Sequence, residues 1–226
     1  MGLIHPGIPR VLALKLARLT NCQVFVETGA CYGDTTEWAA HHFPTVVSIE
    51  ADERLYNQTR DRLLRNGHNA GVVLYQGKSP EILPRIATSF VKPLERAMFW
   101  LDAHWSGEGT GGQESECPLL EEIAAIQGRH HVILIDDARY FLSPPRPPHD
   151  PKHWPNIRQI IHLLRHLHPH EAVFITVHDD VIWCLPDEFR EPFLELIRET
   201  AGARTWRDYI PTQARTLVRG WVQLKR

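Results

Sequence analysis

Residues 24–34 read VFVETGACYGD, and this stretch decides the fold. A short apolar run ends in Glu27, two glycines follow at Gly29 and Gly33, and a helix-compatible segment begins directly afterwards. That order predicts a strand, a tight turn and a helix. Because glycine has no Cβ, backbone N–H groups at such a turn can approach a bound nucleotide. The spacing differs from the G-x-G-x-x-G of dinucleotide-binding turns.

A second apolar run, residues 45–50, also ends in an acid, Glu50. A carboxylate at the end of the second strand suits a ribose diol, since it accepts hydrogen bonds from both hydroxyls. The glycine pair alone is equally compatible with a purely conformational role. Together with Glu27 and Glu50, it predicts a site for a nucleoside-containing cofactor, and S-adenosylmethionine fits best.

Strand-like and helix-like segments alternate along the first 136 residues. This alternation, with strands that are continuous apolar runs, predicts an α/β fold with a doubly wound, mostly parallel sheet. Near the C-terminus, residues 172–177 and 181–185 flank His178-Asp179-Asp180, which predicts an antiparallel hairpin closing the sheet. The predicted strands are 23–27, 45–50, 72–76, 97–102 and 131–136, and the predicted helices are 8–19, 35–42, 53–65, 79–89, 118–127, 156–167 and 187–200.

The length of 226 residues suits one domain with a substantial core. We expect a single domain over residues 1–226, with an N-terminal helix within 1–20, a proline-rich loop at 143–155 and a C-terminal extension at 204–226. The proline-rich loop is expected to be extended and to form a wall of the acceptor pocket, although polyproline ligands for partner domains have similar sequences.

Composition excludes several classes of protein. The formal net charge of −2 gives no electrostatic basis for binding nucleic acid. No apolar stretch is long enough to span a membrane, and the N-terminus lacks the apolar core of a signal peptide. The four cysteines form no C-x-x-C pair, which is typical of a reducing cytoplasm. The sequence does not set the oligomeric state, and a homo-oligomer is compatible with it.

Acidic residues also follow the fourth and fifth predicted strands. Asp102 ends one strand, and the adjacent Asp136 and Asp137 end the next. Because the carboxyl ends of strands open onto the ligand crevice of such a sheet, we expect the three carboxylates to converge there and to supply oxygen ligands for Mg²⁺. The alternative is that each acid simply caps the following helix.

These motifs resemble the class I S-adenosylmethionine-dependent methyltransferases, and in particular the metal-dependent macrocin O-methyltransferase group. The resemblance covers about residues 22–185. It implies that the first turn and Glu50 hold S-adenosylmethionine, and that Asp102, Asp136 and Asp137 hold Mg²⁺, which binds the acceptor hydroxyl. Lys78 stands where the family often has a carboxylate near the adenine, so Ser79 becomes the candidate contact there. The candidate cofactor-binding residues are Glu27, Thr28, Gly29, Gly33, Thr35, Glu50, Ser79 and Asp102.

A base must take the proton from the acceptor hydroxyl. His104, two residues after Asp102, is the first candidate because an imidazole titrates near neutral pH, and His178 at the hairpin turn is the second. The glycine-rich stretch 107–113 adjoins the same place and is compatible with a lid or with an ordinary surface loop.

The sequence therefore predicts an S-adenosylmethionine-dependent methyltransferase with a divalent metal that O-methylates a small hydroxylated acceptor such as a sugar. The alternatives are an NAD-dependent oxidoreductase, a non-catalytic nucleotide-binding protein of the same fold, and a hydrolase- or hydroxylase-like metal enzyme on this frame.

Overall fold

The computed structural model describes residues 7–68, 71–90, 95–105, 107, 110, 114–126, 130–167 and 172–202. The predicted extension 204–226, residues 1–6 and most of the glycine-rich stretch lie outside these ranges. The described strands are β1 (Val24–Thr28), β2 (Thr45–Glu50), β3 (Val72–Gln76), β4 (Ala97–Leu101), β5 (Val132–Ile135), β6 (Val173–His178) and β7 (Val181–Pro186). The described α-helices are α1 (Arg10–Leu19), α2 (Asp34–Ala40), α3 (Glu53–Arg65), α4 (Ser79–Ser89), α5 (Leu119–Ala125), α6 (Arg139–Leu142), α7 (Ile157–His166) and α8 (Arg190–Gly202).

The strands form one sheet in the order β3-β2-β1-β4-β5-β7-β6. Strands β1 to β5 are parallel, and β7 runs antiparallel to both of its neighbours. The predicted fold class, a mostly parallel sheet with a C-terminal antiparallel hairpin, is confirmed. In this register Thr28 lies beside Ile49 of β2 and Leu101 of β4, so the carboxyl ends of three strands meet at one edge.

The sheet has a separate apolar core on each face. In β1, Val24 and Val26 point into the core formed with α4, α5 and α7, whereas Phe25 points into the core formed with α1, α2 and α8. Because both faces are covered, each inner strand must be apolar at consecutive positions, which is the pattern seen in the sequence.

Several element ends follow from local capping. The side chain of Asp52 accepts a hydrogen bond from Leu55 N and begins α3, and Asn156 forms a capping box with Gln159 at the start of α7. The predicted bounds of β2, β3, α3 and α4 agree with the structure to the residue. The helix predicted from residue 187 begins instead with a 3-10 turn, Asp187–Phe189, and becomes α-helical at Arg190.

The proline-rich segment 143–155 contains no α-helix and has one 3-10 turn, Pro151–His153. Most of its residues are exposed, but Trp154 is buried and anchors the segment to the core that includes α5 and α7. Among the described helices, none has the length and apolar character needed to cross a membrane.

Candidate functional site

The β1–α2 turn lies against the end of β4. Gly29 has a φ of +78°, and a Cβ at this position would lie 2.3 Å from the carbonyl oxygen of Asp102. Gly33 precedes α2 with the same positive φ, and its Cβ would lie 2.7 Å from Thr59 Cγ2. Both glycines are therefore required by contacts within the protein itself, whatever ligand the turn accepts.

Glu27 is buried beneath this turn. Its Oε2 accepts hydrogen bonds from Thr36 Oγ1 and Ser48 Oγ, each at 2.5 Å. Burial raises the pKa of Glu27 from 4.5 to about 7, against the effect of these two bonds. The Glu27 carboxyl thus joins β1, β2 and α2. Thr35, also in the first turn of α2, is buried close to Gly7.

Glu50 holds the other side of the turn. Its Oε2 accepts a hydrogen bond from Cys31 N at 2.7 Å, and its Oε1 accepts one from Asp52 N at 2.8 Å. Cys31 itself has a positive φ of 50°, a left-handed backbone that few residues other than glycine adopt. Since each carboxylate oxygen has two lone pairs, these backbone bonds leave acceptor capacity for hydroxyl groups.

A buried hydrogen-bond chain links the ends of β4 and β1 to α5 and α4. Asp102 N donates to Thr28 Oγ1 at 3.2 Å, the Thr28 side chain bonds Glu122, and Ser79 Oγ donates to Glu122 Oε1 at 2.5 Å. Burial raises the pKa of Glu122 to about 7. Glu122 is not among the residues predicted from the sequence, although an acid between Leu119 and Ile123 on the apolar face of α5 is the signal that identifies it.

Asp102, His104 and Asp137 form a connected group at the ends of β4 and β5. His104 Nε2 donates to Asp137 Oδ2 at 2.8 Å, and His104 Nδ1 lies 3.6 Å from Asp102 Oδ1. Burial alone would lower the pKa of His104, but the hydrogen bond to Asp137 and the charges of the neighbouring aspartates raise it above its usual value. Burial raises the pKa of Asp136 to about 6 and that of Asp102 well above its usual range.

Arg139 is a second residue that sequence reasoning missed. Its Nη1 donates to Asp137 Oδ1 at 2.6 Å and also pairs with Asp180 of the β6–β7 turn. Burial would raise the pKa of Asp137, but His104 and Arg139 hold it below its usual range. Asp137 has a left-handed backbone with a φ of 57°, and its carboxylate lies between His104 and Arg139.

The three aspartates do not form a preformed magnesium site. Among the described residues, the ligand atoms of Asp102, Asp136 and Asp137 are not all within 4.8 Å of one another. Both oxygens of Asp137 already bind side-chain donors, and Asp136 Oδ1 accepts a hydrogen bond from Asp137 N at 2.8 Å. As arranged, Asp137 is ion-paired with Arg139 and His104, and the three carboxylates are not gathered around one point, so they do not fit Mg²⁺.

His178 lies at the same edge of the sheet, at the end of β6. Its Nε2 is 3.3 Å from Asp179 Oδ2, and its carbonyl oxygen accepts a hydrogen bond from Trp183 Nε1. The turn that follows is joined to the end of β5, because Asp180 accepts hydrogen bonds from the N–H groups of Ala138 and Arg139.

Glu116 attaches the proline-rich segment to the region after β4. Its buried carboxylate accepts hydrogen bonds from Asp150 N at 3.0 Å and Trp154 Nε1 at 2.8 Å, and pairs with His149 Nδ1 at 3.2 Å. Trp154 packs 5.4 Å from His104, measured between ring centroids. The aromatic rings of this segment pack on one another. Its role as a wall of the acceptor pocket stays a prediction from the sequence.

The space beside His104 is small. A cavity of about 10 Å³ lies between His104, Asp136, Glu122 and Phe141, which is room for about one water molecule. A sugar-sized acceptor does not fit within this cavity.

The fold is shared with solved O-methyltransferases. No protein-family model matches the chain, and no curated protein matches it in sequence. The O-methyltransferase TomG from Streptomyces achromogenes, solved with S-adenosylmethionine, aligns at a TM-score of 0.52 with 19% identity over 81% of this chain and 82% of its own. An O-methyltransferase from Bacillus cereus, solved with S-adenosylhomocysteine, gives a TM-score of 0.53 with 18% identity over 80% and 83%. A candidate caffeoyl-CoA O-methyltransferase from Staphylococcus aureus gives 0.57 with 14% identity over 78% and 82%. The chain therefore has the Rossmann-like fold of class I S-adenosylmethionine-dependent O-methyltransferases.

Proposed function

We propose that this protein is an S-adenosylmethionine-dependent O-methyltransferase that acts on a small hydroxylated acceptor, with a sugar as the first class to test. The observation that carries the proposal is the position of Glu50. Its carboxylate lies at the carboxyl end of β2 and is fixed by Cys31 N at the β1–α2 turn, which is where a ribose diol binds in doubly wound sheets.

The cofactor half of the crevice consists of this turn and its neighbours. Glu50 accepts the ribose hydroxyls, the backbone of the Gly29 turn borders the amino-acid portion, and Ser79 at the start of α4 lies on the adenine side. Glu27 and Thr28 have a supporting role, because their side chains form hydrogen bonds that hold the turn and the end of β4 in place.

The acceptor half consists of His104 and the carboxylates around it. His104 takes the proton of the acceptor hydroxyl through Nδ1, the nitrogen with the longer carboxylate contact. Asp137 accepts the hydrogen bond from Nε2, fixes the orientation of the ring and stabilises the imidazolium that forms. Arg139 keeps Asp137 ionised for that task. His178 remains the second candidate for the base.

Divalent metal assistance stays a prediction from the sequence, which this arrangement does not support because the ligand atoms of Asp102, Asp136 and Asp137 are not gathered around one point. No step above uses a metal. An NAD-dependent oxidoreductase is disfavoured, since dinucleotide-binding folds place parallel strands in the order 3-2-1-4-5-6, whereas β7 here is antiparallel and inserted. The four unpaired cysteines support the cytoplasm as the compartment.

A non-catalytic nucleotide-binding protein is the second candidate, favoured by the small size of the cavity beside His104. It would bind S-adenosylhomocysteine and transfer no methyl group to any acceptor.

Calorimetric titration with S-adenosylhomocysteine tests the cofactor site. We expect binding by the native protein and a loss of at least tenfold in Glu50→Gln, with no change in Glu53→Gln, an exposed carboxylate three residues away. Radiolabelled methyl transfer to a panel of sugars and phenols, with and without EDTA, then tests turnover and the metal. Absence of binding by the native protein would contradict the proposal.

A further inference from the structure

A second group of potential ligands lies on the outer side of α2. The ligand atoms of Glu37, His41 and His68 all lie within 4.8 Å of one another. We propose that these three residues bind a first-row transition-metal ion of the Zn²⁺ type, at a site separate from the crevice. The proposal does not depend on methyl transfer.

The backbone places the three ligands without help from a metal. Glu37 and His41 are four residues apart at the end of α2, so their side chains share one helix face. His68 follows α3 in a Schellman motif, in which His68 N donates to Leu63 O at 3.0 Å and Gly67 N donates to Leu64 O at 3.2 Å. Gly67, with a φ of +77°, is the left-handed residue that this motif requires.

The carboxylate is already oriented by neighbouring donors. Arg62 Nε and Nη2 bind Glu37 Oε2 at 2.9 and 2.6 Å. The other oxygen, Oε1, lies 3.9 Å from His68 Nε2 and accepts a hydrogen bond from Asn66 Nδ2. Metal-binding carboxylates are commonly held by such outer hydrogen bonds.

The two imidazoles determine the class of ion. The rings of His41 and His68 are 4.5 Å apart between centroids and nearly perpendicular, with an interplanar angle of 84°. Two nitrogen ligands and one carboxylate oxygen suit Zn²⁺, Co²⁺, Ni²⁺ or Cu²⁺, whereas Mg²⁺ and Ca²⁺ prefer oxygen alone. His41 is exposed, so a fourth position is open to water.

The local charge favours a cation. Asp34 pairs with Arg62 Nη1 at 2.8 Å, so Asp34 and Glu37 together carry two negative charges against the one positive charge of Arg62. Arg62 Nη1 also donates to the carbonyl oxygen of Tyr32 in the β1–α2 turn. An ion bound here would therefore restrain α2, the end of α3 and that turn at once.

Calorimetric titration of the chelator-treated, full-length protein with ZnCl₂ tests the site. We expect one high-affinity equivalent, which His41→Ala and His68→Ala each weaken by at least about 10- to 100-fold, the range already found when only a hydrogen-bonding partner of a metal ligand is lost. The matched control is His162→Ala, which breaks another exposed histidine pair four residues apart on α7, with rings 4.0 Å from each other. This control should keep the full equivalent.

Co²⁺ absorption gives a second readout, since tetrahedral coordination produces intense visible bands that the His41 and His68 variants should lose. Circular dichroism establishes that the variants are folded. The proposal is overturned if the native protein takes up no tight equivalent, or if His162→Ala reduces binding as much as His68→Ala.

Discussion

Asp137 illustrates how a single residue acquires its role from distant partners. Its left-handed backbone presents one oxygen to His104 and the other to Arg139, which is itself held by Asp180. An acid that the sequence suggests as a metal ligand is in the structure the anionic centre of an ion-pair network. At this scale the contacts argue for proton transfer through histidine.

Asp137→Asn tests that role. The substitution keeps the size of the side chain but removes the charge that orients and stabilises the imidazolium of His104. We expect kcat of methyl transfer to fall by about 10²- to 10⁴-fold, in line with the loss of a base or its orienting carboxylate. Affinity for S-adenosylhomocysteine, measured by calorimetry, should stay within about twofold of the native value. Asp61→Asn, an exposed acid on α3, serves as the control; equal kinetics for both variants would contradict the role of Asp137.

Gly29→Ala tests the close approach of the first turn to β4. The added Cβ would meet the carbonyl of Asp102 at 2.3 Å on a residue with a positive φ, so strain and overpacking add. We expect a loss of about 3 kcal/mol in the free energy of unfolding. Gly67→Ala is the matched control, because its φ is also positive but no atom lies within 4 Å of the added Cβ. In urea denaturation, Gly29→Ala should have a clearly lower free energy of unfolding than Gly67→Ala. Equal losses of free energy in the two variants would mean that the contact with Asp102 is unimportant.

At the scale of elements, α5 places a buried carboxyl group, that of Glu122, at the edge of the sheet where the parallel strands end. Glu122 bonds Ser79 of α4 and Thr28 of β1 and has a pKa of about 7, against 4.5 for an ordinary glutamate. The unfolded chain releases this proton above pH 4.5, whereas the folded chain keeps it until about pH 7. The contribution of Glu122 to stability is therefore complete below pH 4.5 and decreases as the pH rises to 7.

Glu122→Gln should remove this dependence. Between pH 5 and pH 8 we expect the free energy of unfolding of the native protein to fall by about 2 kcal/mol more than that of the variant. Urea denaturation at the two pH values measures the difference. Glu121→Gln, an exposed neighbour on the same helix, should behave like the native protein. An unchanged pH dependence in Glu122→Gln would show that Glu122 ionises normally in the folded state.

Sequence patterns predicted the elements better than the contacts between them. The bounds of α3 follow from its cap at Asp52 and its apolar periodicity, both of which are local. Glu116, Glu122 and Arg139 escaped prediction because their partners are brought together only by the fold: Asp180, for example, lies 41 residues after Arg139. The acidic residues at the strand ends could be predicted to lie together, because parallel strands bring their carboxyl ends to one edge of the sheet. That rule does not reveal which positively charged group binds them, a metal ion or a side chain such as that of Arg139.

At the scale of the whole molecule, ligand binding should raise the free energy of unfolding. A ligand that binds only the folded state raises the unfolding free energy by RT ln(1 + [L]/Kd), about 2.7 kcal/mol at 100 times Kd. We expect S-adenosylhomocysteine to raise the melting temperature of the EDTA-treated protein. Mg²⁺, added after the EDTA has been removed, should give no further increase, because the ligand atoms of the three aspartates are not gathered around one point. Differential scanning calorimetry measures the melting temperature with each ligand. A clear increase with Mg²⁺ that Asp137→Asn abolishes would instead support the metal role predicted from the sequence.

The antiparallel insertion of β7 has a consequence for the order of assembly. The hairpin of β6 and β7 is local. By contrast, β7 can pair with β5 only after the 45 residues between them, 136–180, have been brought back to the sheet, at a cost in loop-closure entropy. Docking of the hairpin delivers Asp180 to Arg139 and so fixes the partner of Asp137. The acceptor half at the end of β5 is therefore complete only once the hairpin has docked, and a nascent chain that ends before β6 contains the Glu50 turn but lacks Asp180, the partner of Arg139.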